Sequence, residues 1–383
     1  MEKLHGSIKK ISEGVDWLLS ACILLVSLGG LVTMKSFTPA ESGADFFGRQ
    51  VIWLGASFAV FFVFSFIDFR FLRRTGVLVG LYLFFGALLL LLFAVGKIAH
   101  GAESWFSFFS LSFQPVDLTK LVLVLVLAKY FSRRHVEIKY VKHILISALY
   151  AFIPFVLVLL QPDFGSAVII MLIWLGMVLV SGISKMHLLY VLGSGALGFF
   201  LLWNFAFAPY QKDRIRSFLD PLANIHTSGY NAYQSTIAVG SGQISGKGVG
   251  YGTQSRLQFL PERQTDFIFA AFAEEWGFVG ALSLLLLYMV IVYRVLYQAS
   301  LYASNFEMLF GMGLGILFIS HILINIGMNL GLLPVTGIPL PFMSYGGSHL
   351  LAEFSGLGIL AGMRRYSSRP AHRDDMKHEF LGI

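Results

Sequence analysis

The sequence predicts an all-α polytopic membrane protein of about ten transmembrane helices, with one large extracytoplasmic loop between spans 7 and 8. Three observations carry that prediction. Of 383 residues, 56% are hydrophobic and only 13% charged, with mean hydropathy +0.74, a balance no soluble domain of this length shows. The apolar residues gather into runs of roughly membrane-spanning length. The cations between those runs collect on one side.

In order, the runs occupy about 15–34, 50–68, 76–97, 117–132, 144–160, 164–182, 187–207, 266–298, 307–328 and 349–363. The first lacks a small-residue cleavage site, so it reads as a retained helix rather than a signal peptide. Cys22, the only cysteine, lies within it and excludes an intramolecular disulfide. An even number of spans returns both ends to one face. Lys3, Lys9 and Lys10 precede span 1, Arg70, Arg73 and Arg74 separate spans 2 and 3, and Arg364, Arg365 and Arg369 follow the last. Lys129, Arg133, Arg134, Lys139 and Lys142 join spans 4 and 5, and this face is expected to be cytoplasmic. The net charge of +7 (28 basic against 21 acidic residues) belongs to these loops and gives no reason to expect nucleic acid. Residues 1–366 read as one transmembrane domain and 367–383 as a charged cytoplasmic tail, expected to be disordered.

The loop of roughly 208–265 carries Lys212, Arg214, Arg216, Lys247, Arg256 and Arg263, and long translocated loops escape the positive-inside bias. It shows no strong secondary-structure signal, and such loops are commonly functional. Gly240, Gly242, Gly246, Gly248, Gly250 and Gly252 predict close approach of backbone to a ligand. They match no Walker or dinucleotide fingerprint, which argues against a nucleotide site.

Two more outer segments stand out. Residues 101–120, GAESWFSFFSLSFQPVDLTK, alternate apolar and polar residues, and Trp105 with its phenylalanines reads as an interfacial belt. Lys120, three residues after Asp117, either snorkels to the interface or pairs with a carboxylate inside the bundle. Residues 327–347, GMNLGLLPVTGIPLPFMSYGG, break helical backbone where only buried protein or a polar cavity tolerates it.

Asp266 stands at the mouth of span 8, with Glu274 and Glu275 inside the apolar run, where a charge costs about 2.5–3.5 kcal/mol. Asp266 reads equally as a general base or, with Thr265, as a helix cap. Glu274 lies about 80° from Asp266 around a helix and Glu275 about 180°. Glu274 is therefore the expected neighbour in a shared cavity, and Glu275 the expected half of a buried pair with Arg, Lys or His. His321 and Asn325, at i and i+4, share a face and read first as an interhelical hydrogen-bond pair. No zinc-site spacing and no Ser-His-Asp set is apparent.

The chain resembles the SEDS family (shape, elongation, division and sporulation), in the elongation rather than the division branch. GAESW with QPVDLTK, QPDFGSA at Gln161–Ala167 and RIRSFLDP at Arg214–Pro221 carry the resemblance. So do GYNAYQSTIAVGSGQISGKGVGYGTQ at Gly229–Gln254, LPERQTDFIFAAFAEEWGFVG at Leu260–Gly280 and NIGMNLGLLPVTGIPLPFMSYGGS at Asn325–Ser348. It implies a peptidoglycan glycosyltransferase that polymerises lipid II on the outer face of the bacterial cytoplasmic membrane during cell elongation. The family's essential aspartate falls on Asp266, as general base of an inverting displacement. The resemblance also implies activity with Mg²⁺ or Mn²⁺, no organic cofactor, and partnership with a class B penicillin-binding protein and other elongation-complex membrane proteins. Candidate substrate contacts are Trp105, Asp117, Lys120, Arg214, Gln234, Ser235, Lys247 and Gln254. Glu262, Thr265, Glu274, His321, Asn325, Ser344 and Tyr345 complete them, and no metal ligand is identified. The chain departs from the family pattern at four places: Ser104 replaces an arginine, Asp117 a glutamate, Gln243 a glycine and His349 a serine. A flippase for the lipid-linked precursor is the runner-up; it should show internal repeats, which are not apparent, and charges near the midplane, whereas Asp266 sits at an outer boundary beside the large loop. A silent scaffold is the third reading, and it would not need Asp266.

Overall fold

The computed structural model describes residues 15–37, 46–95, 97–99, 102–108, 111–133, 141–205, 207–220, 229–302 and 304–367. Ten long helices realise the ten apolar runs. They are α1 (Trp17–Ser36), α2 (Phe46–Phe66), α3 (Thr75–Val95), α4 (Pro115–Ser132), α5 (Val141–Leu160), α6 (Phe164–Val180) and α7 (Lys185–Phe205). The loop helices α8 (Pro209–Leu219), α9 (Tyr230–Ser241) and α10 (Thr253–Arg256) follow, then α11 (Ile268–Ser300), α12 (Asn305–Asn329) and α13 (Gly347–Ser367).

Local chemistry sets several of the ends. Asp16 caps α1 by accepting from Leu19 N at 3.0 Å, and Asp163 caps α6 by accepting from Ser166 N at 3.0 Å. Pro115 opens α4, where a missing N–H costs nothing.

Seven of the ten long helices are apolar enough to cross a membrane by length and composition, and α6 is a shorter apolar helix of 17 residues. The remaining two, α4 and α13, carry Asp117, Lys120 and Lys129, and Glu353, Arg364 and Arg365. Asp117, Lys120, Lys129 and Glu353 are buried, so protein rather than lipid surrounds them, while Arg364 and Arg365 are half-buried in the last turn of α13. Helix α13 seats Gly347 and Gly358 on α2: a methyl at Gly358 would stand 2.7 Å from Phe64 Cβ. Helix α7 buries no residue.

Ion pairs and hydrogen bonds mark one end of the bundle. Arg294 and Gln298 of α11 bind Asp16, Arg73 binds Glu307 at 2.7 Å, and Tyr366 bonds Phe66 O at 2.9 Å. The start of α1 and the end of α13 therefore share a face, as an even number of spans requires. Helices α8–α10 and the irregular segment 330–346 occupy the opposite end.

The bundle is all-α as expected, with one small addition. Three short segments form an antiparallel sheet in the order β1 (Lys97–Ala99), β2 (Ala102–Phe108), β3 (Leu111–Phe113). Lys97 pairs with Trp105 and Phe106 with Phe113. The alternation noted in this stretch is the period of a strand. The long loop, expected to lack regular structure, instead folds as α8, α9 and α10. The tail 368–383 lies outside the described residues.

Candidate functional site

The site is built on a break in α11. Gly277 takes φ 68, ψ −166, a conformation closed to residues with a side chain. In an unbroken helix the amides of Phe278 and Val279 would bond the carbonyls of Glu274 and Glu275. Here they donate to Gln243 O (2.8 Å) and Ile244 O (3.1 Å). The two freed carbonyls accept from Lys247 N and Gly248 N, both at 3.0 Å. The loop is thus spliced into the helix with every one of these groups paired. A methyl at Gly242 would stand 2.1 Å from Ala273 O, and one at Gly246 2.1 Å from Glu275 O. These two glycines let backbone approach backbone, which corrects the reading of them as a ligand cradle.

Side chains reinforce the splice. Glu274 is fully buried and accepts from Lys247 Nζ (2.8 Å), Gln254 N (2.9 Å), Ser255 N (3.1 Å), Ser255 Oγ (2.9 Å) and Thr253 Oγ1 (3.2 Å). It ties down the start of α10, so its carboxylate serves the loop rather than a cavity shared with Asp266. Lys247, a candidate anion contact, is committed to that same carboxylate. Glu275 accepts from Ser36 Oγ and from Gly250 N (3.0 Å), not from the cation expected of a buried pair.

From this anchor the chain runs to Asp266. Arg263 donates to Ser255 O and lies over the Phe37 ring at 5.0 Å, and burial pushes its guanidinium pKa down. The Glu262 carbonyl gathers the amides of Thr265, Asp266 and Phe267 at 3.1–3.2 Å. The N-cap position of α11 is Phe267, which has no side-chain oxygen, and the Thr265 hydroxyl turns back to Glu262 O at 3.2 Å. Neither Thr265 nor Asp266 occupies the capping position. The Asp266 side chain is half-buried against Gly337, where a methyl would stand 3.4 Å from Oδ2.

The irregular segment after α12 forms the floor beneath Asp266. Asn325 Nδ2 donates to Asp266 O (2.9 Å) and Ile338 O (2.7 Å), and Asn329 Nδ2 donates to Asp266 O at 3.0 Å. His321 Nδ1 lies 3.4 Å from Pro339 O. Ser344 Oγ donates to Thr265 O (2.6 Å), and Tyr345 N to Gln264 O (2.8 Å). His321, Asn325 and Ser344, all candidate contacts, therefore hold backbone in place. Asn325→Leu leaves the buried Ile338 carbonyl unpaired, and we expect it to cost about 1–3 kcal/mol, read by thermal unfolding in detergent.

The other candidates fall into separate groups. Lys120 is 2% exposed and pairs with Asp117 at 3.2 Å, the pairing reading rather than snorkelling. Ser235 donates to Asn329 O at 2.9 Å. Gln234 Oε1 and Gln254 Oε1 are buried among the described residues with no protein partner. Tyr345 packs edge-on against Phe46 at 5.1 Å. Arg214 on α8 lies over Tyr210 at 5.9 Å, and burial raises that phenol's pKa. Trp105 lies on β2, with its side chain outside the described residues.

Three contributors escaped the sequence reading. Asn329 continues the His321–Asn325 stripe by four more residues, a signal that was present. Glu353 lies four residues after His349 and pairs with it at 2.9 Å. The Gly277 break gave no local signal.

A sequence-family model described as "Cell cycle protein" (FtsW/RodA/SpoVE) matches residues 15–369. Peptidoglycan glycosyltransferase MrdB of Escherichia coli (strain K12) is 38% identical over 286 residues, 75% of this chain and 77% of that protein. Stage V sporulation protein E of Bacillus subtilis (strain 168) is 34% identical over 362 residues, 92% of this chain and 97% of that protein. Among solved structures, rod shape determining protein RodA of Thermus thermophilus aligns with TM-score 0.69 at 30% identity, over 93% of this chain and 98% of that one. A chain from work on structural coordination of polymerization and crosslinking by a peptidoglycan synthase complex aligns with TM-score 0.79 at 32% identity. That alignment covers 93% of this chain and 99% of the other.

Proposed function

The chain belongs to the FtsW/RodA/SpoVE family, and from that premise we propose that it polymerises lipid II into glycan strands with Asp266 as general base. It is a multi-pass membrane protein and a peptidoglycan glycosyltransferase. The observation that carries the residue assignment is how Asp266 is held. Its backbone carbonyl is gripped by two asparagines, and its carboxyl stands half-buried at the edge of the loop assembly.

In this reading the acceptor sugar's 4-hydroxyl attacks C1 of the donor and its proton passes to Asp266. The C1–O bond to the polyprenyl pyrophosphate breaks with inversion, a displacement that needs one base. The anionic leaving group calls for cations. Arg214 and the exposed Arg216 on α8 are placed for that task better than Lys120 or Lys247, which are paired inward. The unpartnered amide oxygens of Gln234 and Gln254 offer acceptors for sugar hydroxyls.

Orientation follows from the positive charges. The face bearing α8–α10 lies outside the cytoplasmic membrane, and both termini lie in the cytoplasm. The aligned chain, from work on a synthase complex that coordinates polymerization and crosslinking, supports a crosslinking partner, and the family resemblance makes a class B penicillin-binding protein the one proposed. Among the described residues no three or more His, Cys, Asp and Glu are grouped to hold a metal ion. Mg²⁺ or Mn²⁺ would enter as counter-ion of the pyrophosphate, and no step is assigned to it.

The test is polymerisation of purified lipid II by the full chain with its partner, analysed as glycan strands. Strand synthesis is the expected result, and its absence from a folded complex sinks the lipid II assignment. Adding a chelator is expected to slow synthesis, and an unchanged rate removes the divalent ion.

A further inference from the structure

Gly165 lies buried in the first turn of α6, and its backbone is not left-handed. A glycine inside a helix weakens it relative to alanine, so the reason for this one is what it lets come close. A methyl there would stand 2.6 Å from Thr336 O and 2.6 Å from Ile338 Cδ1. The turn of residues 336–338 is therefore seated directly on the backbone of α6.

The other side of that turn faces the transfer site. Gly337 stands between Thr336 and Ile338, and a methyl on it would be 3.4 Å from Asp266 Oδ2. Asn325, fully buried, donates from one nitrogen to Ile338 O (2.7 Å) and to Asp266 O (2.9 Å). One amide thus ties the turn to the backbone of the aspartate. Gly165, the turn and Asp266 form a stack in which the turn is the spacer.

The start of α6 is held in place from outside the stack. Asp163 accepts from Ser166 N at 3.0 Å and from Gln114 Nε2 at 3.1 Å, which fastens it to the start of α4. The Phe164 ring packs edge-on against Phe207 at 5.7 Å, just before α8. Thr336 O belongs to the backbone, so a clash with it is relieved by moving the turn rather than by rotating a side chain. Close-packed interiors transmit such a displacement. A side chain at position 165 would move the turn, and the turn would carry Asp266 with it.

We infer that Gly165 is a positioning residue for glycosyl transfer. Its missing side chain sets how closely the 336–338 turn approaches α6 and, through that turn, where the Asp266 carboxyl stands. The inference rests on the transferase reading above. Absence of strands from the wild-type complex sinks that reading, whereas the outcomes below, measured against an active wild type, decide this inference alone.

The experiment measures kcat and KM on lipid II, per folded molecule in the complete complex, for Gly165→Ala and Gly176→Ala. Gly176 lies three turns further along the same helix, about 16 Å away. A methyl there would stand 2.6 Å from Ile316 Cγ2 and meets that side chain alone. Both variants crowd α6, and only the first presses on the turn. Gly165→Ala should lower kcat by about tenfold to a hundredfold with KM within about twofold of wild type, the effect of misplacing a reacting group by up to about 1 Å. Gly176→Ala should keep kcat within about twofold of wild type, as a distant and independent site. Wild-type kcat in folded Gly165→Ala overturns the inference. So does an equal loss of kcat in Gly176→Ala, or a loss in Gly165→Ala that falls on KM. Where Gly165→Ala does not fold, Gly165→Ala/Ile338→Val removes Ile338 Cδ1 from the clash, keeps the contact with Thr336 O, and carries the same expectation.

Discussion

Asp266→Ala should fold normally and lose polymerisation by about 10²–10⁴-fold, the range set by removing a general base. The fold grips this residue by its backbone: Asn325 and Asn329 bind its carbonyl, and its amide bonds Glu262 O at 3.1 Å. An alanine keeps all three bonds, so the thermal midpoint should stay near that of the wild type. Asp266→Asn removes the basic oxygen without changing shape and should behave alike. Asp266→Glu keeps the carboxylate but drives it toward the Gly337 wall, with an expected loss on the order of 100-fold. Folded Asp266→Ala that makes strands at the wild-type rate would end the base assignment.

The legible and hidden parts of this molecule divide by the range of the interactions. Ten apolar runs could be read as helices, most of them because lipid imposes a long apolar run on a helix it surrounds. Asp266 stood out because a carboxylate at a membrane boundary is costly, but its position fitted a base and a cap equally, and only the family resemblance favoured the base. The roles of Lys247 and Glu274 could not be read, because their pairing crosses 27 residues and depends on a helix break. Glycines predicted to cradle a ligand and glycines that nest backbone on backbone look identical in one sequence. Gly242 and Gly246 prove to be of the second kind. Helical geometry placed Glu274 near Asp266 only on the assumption that both sit on one continuous helix. In the structure Asp266 precedes the N-cap of α11, and the Glu274 carboxylate turns to the loop.

The break itself carries the other large expectation. Gly277→Ala should destabilise the protein by about 2–6 kcal/mol, joining about 1–3 kcal/mol of backbone strain to about 1–3 kcal/mol of overpacking. The new methyl would stand 2.2 Å from Gly246 N and 2.6 Å from Ile244 O, both backbone atoms of the spliced loop. Neither can move without opening the four bonds that replace the missing helical pair. If the helix instead straightens, the Glu274 and Glu275 carbonyls recover their own amides and the loop loses its anchor. Either outcome should expose residues 242–256 to proteolysis and lower the thermal midpoint. It should also reduce polymerisation, because the chain leading to Asp266 begins at that anchor. Gly250→Ala is the control: its φ of 82 is also left-handed, but a methyl there meets nothing within 4 Å. Strain alone predicts about 1–2 kcal/mol for it and an intact loop. Equal unfolding midpoints and equal protease resistance in the two variants would show that the splice at Gly277 does not hold the loop.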